Sequence, residues 1–224
     1  HEARVGRAAV AVLEAFGFEV SLVDGRKCCG RPAASRGLLG ELRRLGEHNL
    51  GLLAGGTEPI VFLEPSCYSV FIDEYRQLGL RGAGEVASRC VLVEDLLLYL
   101  TDGDGLEDPP WSRREITVAV HGHCHTKALA RPIGAASLLG RTPGATVLPL
   151  ETGCCGMAGA FGRLEANREL SRSVAEPLVR AVRELAPGTL VAAAGTSCRH
   201  QSQALADVEV LHPVEVLART LETD

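Results

Sequence analysis

The sequence predicts an α/β protein made of two tandem Rossmann-like parallel-sheet modules related by internal duplication. Short apolar runs with strand character alternate with segments of helical period, and turns bearing cysteine and glycine follow the strand ends. The same order of signals then recurs in the second half. Cys28-Cys29 is repeated at an offset of 126 residues by Cys154-Cys155, and Cys67 at an offset of 131 by Cys198. Val91-Leu92-Val93-Glu94 with Leu96 to Leu100 likewise parallels Val210-Leu211-His212-Pro213 with Val216 to Leu221. Self-similarity along a chain marks repeated units. Strand, loop, helix, strand order with apolar strands marks a parallel sheet, whose functional groups gather beyond the strand carboxyl ends. The expected boundaries are 1–105 for the first module, 106–115 for a linker and 116–224 for the second module.

Each element has its own signal. Val5, Ala8, Ala9, Val12 and Phe16 fall at helical spacing and Gly17 stops that helix, after which Phe18 to Val23 reads as a strand leading to Cys28-Cys29-Gly30. A helix pattern over Ser35 to Ala54 precedes a strand at Pro59 to Leu63 that ends at Glu64-Pro65-Ser66-Cys67. The linker shows in Asp102-Gly103-Asp104-Gly105 and Pro109-Pro110. Ile116 to Val120 is a strand leading into His121-Gly122-His123-Cys124-His125, and Ala145 to Leu150 is one leading into Gly153-Cys154-Cys155-Gly156. A helix from Arg163 to Leu185 carries Leu170, Val174, Leu178, Ala181 and Leu185 on one stripe, with Pro177 as a kink or restart. Thr189 to Ala194 is a strand leading into Gly195-Thr196-Ser197-Cys198. Every cysteine except Cys90 is thus expected just past a strand.

Composition narrows the class. A chain of 224 residues with 46% hydrophobic content has ample material for a core. A net charge of −5 and 4% aromatic residues give neither a basic footprint nor a stacking platform, which disfavours nucleic acid as a partner. No apolar run reaches the roughly 18 residues of a bilayer span. Eight cysteines in a core-rich sequence, clustered at loop positions, point to a reducing cytoplasm rather than to a disulfide scaffold. Helix-like sequence begins at His1 without an initiator Met, so a piece of a longer protein is expected.

The doubled Cys-Cys carries the chemistry. Adjacent side chains cannot both enter one small tetrahedral site without contorting the backbone, whereas a cluster of several metal atoms offers a different atom to each sulfur. Soft thiolates select iron–sulfur clusters, zinc or Cu(I). Cys124, Cys154, Cys155 and Cys198 form a four-thiolate set at the strand ends of one module, the main expected metal site. Zinc is the less favoured occupant because paired C-x₂₋₄-C knuckles are lacking. Cys28, Cys29 and Cys67 form a second or shared site, or a degenerate module or vicinal disulfide. The counterpart of Cys124 would fall at position −2, so this set is truncated or incomplete within the chain. Cys90 reads as a packing residue.

His121 and His123 are candidates for second positions around the cluster, bonding or tuning its sulfurs, with direct ligation disfavoured. Arg199 and His200 place positive charge after Cys198. Gly153, Gly156, Gly159 and Gly162 recur every third residue, a spacing that differs from G-x-G-x-x-G and fits a backbone bent around a cluster, with Gly153 and Gly156 nearest the sulfurs. No nucleophile–base or paired-carboxylate arrangement stands out, so substrate oxidation is expected elsewhere.

On Cys28-Cys29-Gly30-Arg31-Pro32, Glu64-Pro65-Ser66-Cys67, His121-Gly122-His123-Cys124-His125, Gly153-Cys154-Cys155-Gly156-Met157-Ala158-Gly159 and Gly195-Thr196-Ser197-Cys198-Arg199-His200, the chain resembles the cysteine-rich CCG domain family. That family includes a subunit of heterodisulfide reductase. The chain is most similar to the C-terminal iron–sulfur region of FAD-linked D-lactate or D-2-hydroxyglutarate dehydrogenase-type oxidoreductases. The likeness runs over nearly the whole chain. It implies a [4Fe-4S] cluster, and FAD on a separate domain or subunit that oxidises a 2-hydroxy acid. It also implies a ferredoxin-like domain or other electron acceptor as partner, with peripheral membrane association only through partners. A disulfide or quinone reductase of heterodisulfide reductase type and a zinc-stapled interaction domain are the rival readings. In heterodisulfide reductase the pattern ends in C-x-x-C. Glu64 and Gly195 stand here at the first cysteine of that pair, which makes four cysteines the simpler expectation.

Overall fold

The computed structural model describes residues 2–103, 107–109, 111–129 and 134–221. The first half runs α1 (Ala3–Ala15), α2 (Arg31–Ala34), α3 (Leu39–Leu53), β1 (Ile60–Phe62) and α4 (Pro65–Ser69). A π turn over Val70–Glu74 then leads to α5 (Tyr75–Gln77), α6 (Ala83–Ala87), β2 (Cys90–Leu92) and α7 (Val93–Gly103). The second half runs β3 (Ile116–His121), α8 (Cys124–Leu129), α9 (Gly134–Leu139) and β4 (Ala145–Leu150). Two 3₁₀ turns, Phe161–Arg163 and Glu165–Asn167, lead to α10 (Arg168–Arg183), β5 (Leu190–Ala193), α11 (Thr196–Ala206), β6 (Val210–Leu211) and α12 (Pro213–Ala218).

The fold is α/β with parallel strands in both sheets. One sheet has two strands, β1 and β2, with Val61 opposite Val91. The other has four in the order β4-β3-β5-β6, so β3 lies between β4 and β5. Purely parallel pairing needs crossover connections, which the helices supply. Val118, Ala119 and Val120 of β3 are buried, as expected of a strand covered on both faces. The largest core takes Val5, Val12 and Leu97 from the first half and Val118, Leu138 and Leu217 from the second. Burying each Leu fully contributes about 1.5–3 kcal/mol, so the halves are joined by their apolar surfaces.

Several expectations need correction. Among the described residues Phe18 to Val23 pairs with no strand; Phe18 and Val20 pack on the core, but the space beside the segment is a cavity, so its alternation has no ladder to join. The helix foreseen from Ser35 begins at Leu39, and the one foreseen from Arg163 begins at Arg168 after the 3₁₀ turns. Pro177 lies inside an uninterrupted α10, whose buried stripe is Ser171, Ala175, Leu178, Val179 and Val182, while Leu170 and Val174 are exposed. The small Ser171 and Ala175 allow closer approach than Leu170 and Val174 would, and Ser171 Oγ accepts from Gln201 Nε2 of α11 at 3.0 Å. Asp102 and Gly103, whose composition marks the linker in the sequence, close the helix α7, and Trp111 bridges to Leu221 and packs edge-on against Phe16. Asp104, Gly105, Leu106 and Pro110 of that region lie outside the described residues, as does His1. Among the described residues, no helix is long and apolar enough to cross a membrane.

His212 ties the halves together. Its Nε2–H donates to the Leu63 carbonyl at 2.8 Å, and its Nδ1 accepts from Val214 N at 3.1 Å as the cap of α12. Both nitrogens are used by the neutral ring, and burial holds its pKa down to about 4 against the Leu63 bond, which works upward. The unfolded chain therefore binds a proton near pH 6.5 that the native state takes up only near 4, so stability falls as pH drops through that window. We expect a loss of about 3 kcal/mol from this residue between pH 7 and 4, at about 1.36 kcal/mol per unit. Denaturant melts across that range should show the loss shrinking in His212→Gln, which starts less stable but does not titrate.

Candidate metal centre

The four thiols of the main set arrive from three strand ends. Cys124 opens α8 after β3, Cys154 and Cys155 follow β4, and Cys198 lies in the first turn of α11 after β5. Cys155 and Cys198 are buried beside Met157, Leu178 and Val191, and Cys154 packs at the edge of the same cluster. The sulfurs interact in series: Cys124 with Cys154, Cys154 with Cys155, and Cys155 with Cys198. Among the described residues, no group of three or more His, Cys, Asp or Glu side chains is arranged to hold a single metal ion.

The tendency toward thiol or thiolate alternates along the series. Cys154 is driven down to about 2 by its hydrogen bonds from Cys124 and Cys155. Cys198 is driven down to about 5, chiefly by Cys155, with burial opposing and His121 and His123 assisting. Cys124 is pushed up by Cys154 and by burial, and Cys155 by Cys154, Cys198 and burial. Adjacent sulfurs cannot all be anionic without a cation among them, so protonated thiols donate to thiolates.

The backbone supports the same charge. Gly156 N–H donates to Cys154 Sγ at 3.3 Å, and Gly30 N–H to Cys28 Sγ at 3.5 Å, so the two Cys-Cys-Gly turns share one local geometry. Gly156 has φ +83°, and a Cβ there would lie 2.0 Å from the Ser171 carbonyl oxygen, so only glycine fits. Gly153, the other glycine expected beside the sulfurs, lies in open space.

His121 Nδ1 meets Thr152 Oγ1 at 3.0 Å, and the ring bears on Cys198 and helps to draw that thiol down. His123 Nδ1 accepts from His125 N at 3.1 Å, which leaves Nε2–H for Ser66 Oγ at 3.4 Å. A Cβ at Gly195 would sit 2.2 Å from His123 Cδ2 and 3.2 Å from Cys198 Sγ, so the His123 ring fills the space a side chain at 195 would need. His125 Nδ1 lies 3.2 Å from Ser69 Oγ, and burial, with His123 and Arg31 nearby, holds its pKa down to about 4. Arg199 turns its charge to Glu2 at 2.6 Å and to the Ala193 and Ala194 carbonyls, and exposed His200 meets Arg163.

The first-half thiols form a separate group. Cys29 Sγ and Cys67 Sγ are 3.0 Å apart, while Cys28 is exposed. The bond from Cys28 pulls Cys29 down, but Cys67 and burial together outweigh it and push the thiol up to about 12. Cys90 donates to the Val86 carbonyl at 3.2 Å and packs on the first-half core, the structural role expected of it.

Glu64 is the residue whose role sequence reasoning missed. Its Oε1 accepts from Ser66 N at 3.1 Å, capping α4, and its Oε2 accepts from Thr196 N at 2.7 Å, at the start of α11. One carboxylate therefore holds the helix that carries Cys67 to the helix that carries Cys198. Burial alone would raise its pKa, but Thr196 N–H, His123 and Ser66 hold it below the usual carboxylate value. Glu64-Pro65 is a legible N-cap followed by Pro, yet its second target lies 132 residues away.

The family described as the cysteine-rich domain CCG matches residues 1–72, which include Cys28, Cys29 and Cys67. The chain is 28% identical over 228 residues to a subunit of the anaerobic glycerol-3-phosphate dehydrogenase of Escherichia coli (strain K12), covering 97% of this chain and 55% of that protein. It is 26% identical over 231 residues to lactate utilization protein A 2 of Bacillus cereus, covering 97% and 93%. It is 31% identical over 164 residues to lactate utilization protein A of Anoxybacillus flavithermus (strain DSM 21510 / WK1), covering 70% and 67%. The chain thus spans about half the length of the glycerol-3-phosphate dehydrogenase subunit.

We expect Glu64→Gln to lose about 1–3 kcal/mol at pH 7, because its amide opposes one of two buried N–H donors. The folded pKa of Glu64 is depressed, so its contribution is present above the unfolded value of 4.5 and is lost as pH falls through the folded one. Denaturation at pH 7 and below pH 4 should show the gap between the two proteins closing in acid.

Proposed function

This chain belongs to the cysteine-rich CCG domain family, and from that premise we propose that it is the iron–sulfur electron-transfer domain of a flavin-dependent 2-hydroxyacid dehydrogenase of D-lactate, glycolate or D-2-hydroxyglutarate type. The observation that carries the reading is the meeting of Cys124, Cys154, Cys155 and Cys198. Four soft donors, partly thiolate and largely removed from water, fit an iron–sulfur group in their chemistry. Such a cluster supplies one-electron transfer when bound, at a potential set by hydrogen bonds to its sulfurs and by burial. The chain's own residues do the rest: the four cysteines are the proposed ligands, Gly156 N–H donates to Cys154, and His121 bears on Cys198. The hydrophobic neighbours Met157, Leu178 and Val191 limit water. The Cys28, Cys29 and Cys67 group is a second or shared site in the same scheme.

The relatives' names support a subunit role beside a separate dehydrogenase, and lactate is itself a 2-hydroxy acid. In this reading FAD and substrate oxidation belong to a partner domain or subunit, and electrons pass on to a ferredoxin-like domain or other acceptor, in the cytoplasm. The two matching Cys-Cys-Gly turns and the two parallel sheets support tandem modules over 1–105 and 116–224.

Anaerobic purification with metal analysis and EPR tests the proposal. We expect iron and sulfide with a reducible cluster signal; stoichiometric zinc without iron would overturn it. Cys155→Ser should remove most of the signal, and Cys90→Ser should leave it unchanged.

A further inference from the structure

The carboxyl ends of strands from both sheets surround a cavity beside the metal centre. Leu92 ends β2, Val120 and His121 end β3, and Leu150 ends β4; all of them line it, as does Ala194 just after β5. Its volume is about 370 Å³, within the roughly 300–1,000 Å³ of small-molecule sites. Parallel α/β sheets bind ligands beyond the carboxyl ends of their strands, and this cavity has that position. His121 and His123 are shared with the metal centre, but none of the described residues lining the cavity is a cysteine.

Glu94 gives the cavity its chemistry. It lines the space from the first turn of α7, is only 4% exposed, and its Oε1 has no hydrogen-bond partner among the described residues. A buried polar atom left unmet is costly, and a ligand that donates to it removes the cost. Burial pushes the Glu94 pKa up to about 7, its own N–H opposing and Asp95 adding. Gly134, also in the lining, leaves both acids uncovered: a Cβ there would meet Asp95 Oδ1 at 2.8 Å and Glu94 Cβ at 3.7 Å. Leu92, Val120, Pro149 and Leu150 make much of the rest apolar. The described lining residues carry the carboxyls of Glu94, Asp95 and exposed Glu151 against the ammonium of exposed Lys127, which already donates to the Thr152 carbonyl at 2.5 Å. That balance disfavours an anion and favours a cation with an apolar body.

We propose that this cavity binds a small organic ammonium ion, its N–H donating to Glu94 Oε1 and its carbon skeleton lying against Leu92, Val120 and Pro149. The ligand supplies the hydrogen bond that Glu94 lacks and the positive charge that the lining lacks. The inference goes beyond the electron-transfer reading and is independent of which metal the thiols hold.

Calorimetric titration of the anaerobically purified protein with benzylammonium tests the proposal, with benzyl alcohol and benzoate as its neutral and anionic isosteres. At pH 8 benzylammonium should bind about tenfold or more tighter than either isostere, because only it forms a charge-assisted bond with the carboxylate. Its affinity should fall about tenfold from pH 8 to pH 6, as Glu94 passes from mostly ionised to mostly protonated. The other titratable groups lining the cavity are Asp95, His121, His123, Lys127 and Glu151, and Tyr68 of α4 stands near Asp95. Glu94→Gln isolates the share of Glu94: it keeps the shape, loses the charge, and should weaken benzylammonium about tenfold or more at pH 8 while flattening the pH dependence. Ala136→Leu, which narrows the cavity and leaves the carboxyl in place, should also weaken binding. Equal binding of the three probes, an affinity unchanged by Glu94→Gln, or no binding at millimolar benzylammonium would overturn the site. The isostere series needs no variant, and none of these outcomes bears on the iron content, so failure here is distinct from failure of the electron-transfer reading.

Discussion

The carboxylate of Glu64 is the constraint on which the arrangement of thiols depends. A charged group this deeply placed is costly unless its lone pairs are met, and Glu64 meets that condition with N–H groups from two helices of different halves. Each helix begins within three residues of a cysteine, Cys67 in α4 and Cys198 in α11. Fixing the two helix starts on one carboxylate fixes the relative position of the two thiol groups. His212, through the Leu63 carbonyl one residue before Glu64, secures the same strand end from the other side. Long apolar contacts across the large core could tolerate a small slip, but these short polar bonds cannot.

The second constraint is charge. Four sulfurs in series, two drawn toward thiolate and two held as thiols, form an arrangement whose natural complement is cationic. Metal binding to cysteine requires the thiolate, so ligand set, protonation and folding are linked. The surroundings moderate this cost without cancelling it. Gly156 offers a main-chain donor, and Arg199, the one strongly basic neighbour of Cys198 in sequence, faces Glu2 and two carbonyls instead. The positive charge read from sequence beside Cys198 is therefore used to anchor the start of α1.

Much of the second half was legible because its signals are local. β3, β4 and β5 are apolar runs flanked by glycine-rich turns, and the structure places each within a residue or so of the reading. The register of α10 was not legible, because its buried stripe is chosen by the small Ser171 and Ala175 packing near Gly156 and α11, a tertiary fact that overrides the apolar count. Phe18 to Val23 shows the opposite failure: its pattern is that of a strand, but pairing requires a neighbour, and period alone does not supply one. The convergence of Cys124, Cys154, Cys155 and Cys198 could be inferred from the strand-end rule. The double cap by Glu64 and the nesting of His123 over Gly195 could not, since each joins residues far apart in sequence.

The two thiol groups meet at a common seam, and that shapes what either can do. α4 carries Cys67 and α8 begins with Cys124; between them Ser66 faces His123 and Ser69 faces His125. Arg31, two residues after Cys29, reaches the Ser66 carbonyl and pairs with Glu74 on the same side. A change of charge at one thiol group therefore acts on the other through a few short, half-buried polar contacts rather than through bulk water, where it would be strongly screened. His125 is kept neutral by burial, with His123 and Arg31 adding to the effect, so the seam keeps Arg31 as a fixed charge and does not gain a second. The hydrogen bonds of the seam are thus committed to holding the two halves, and with them the two thiol groups, in place.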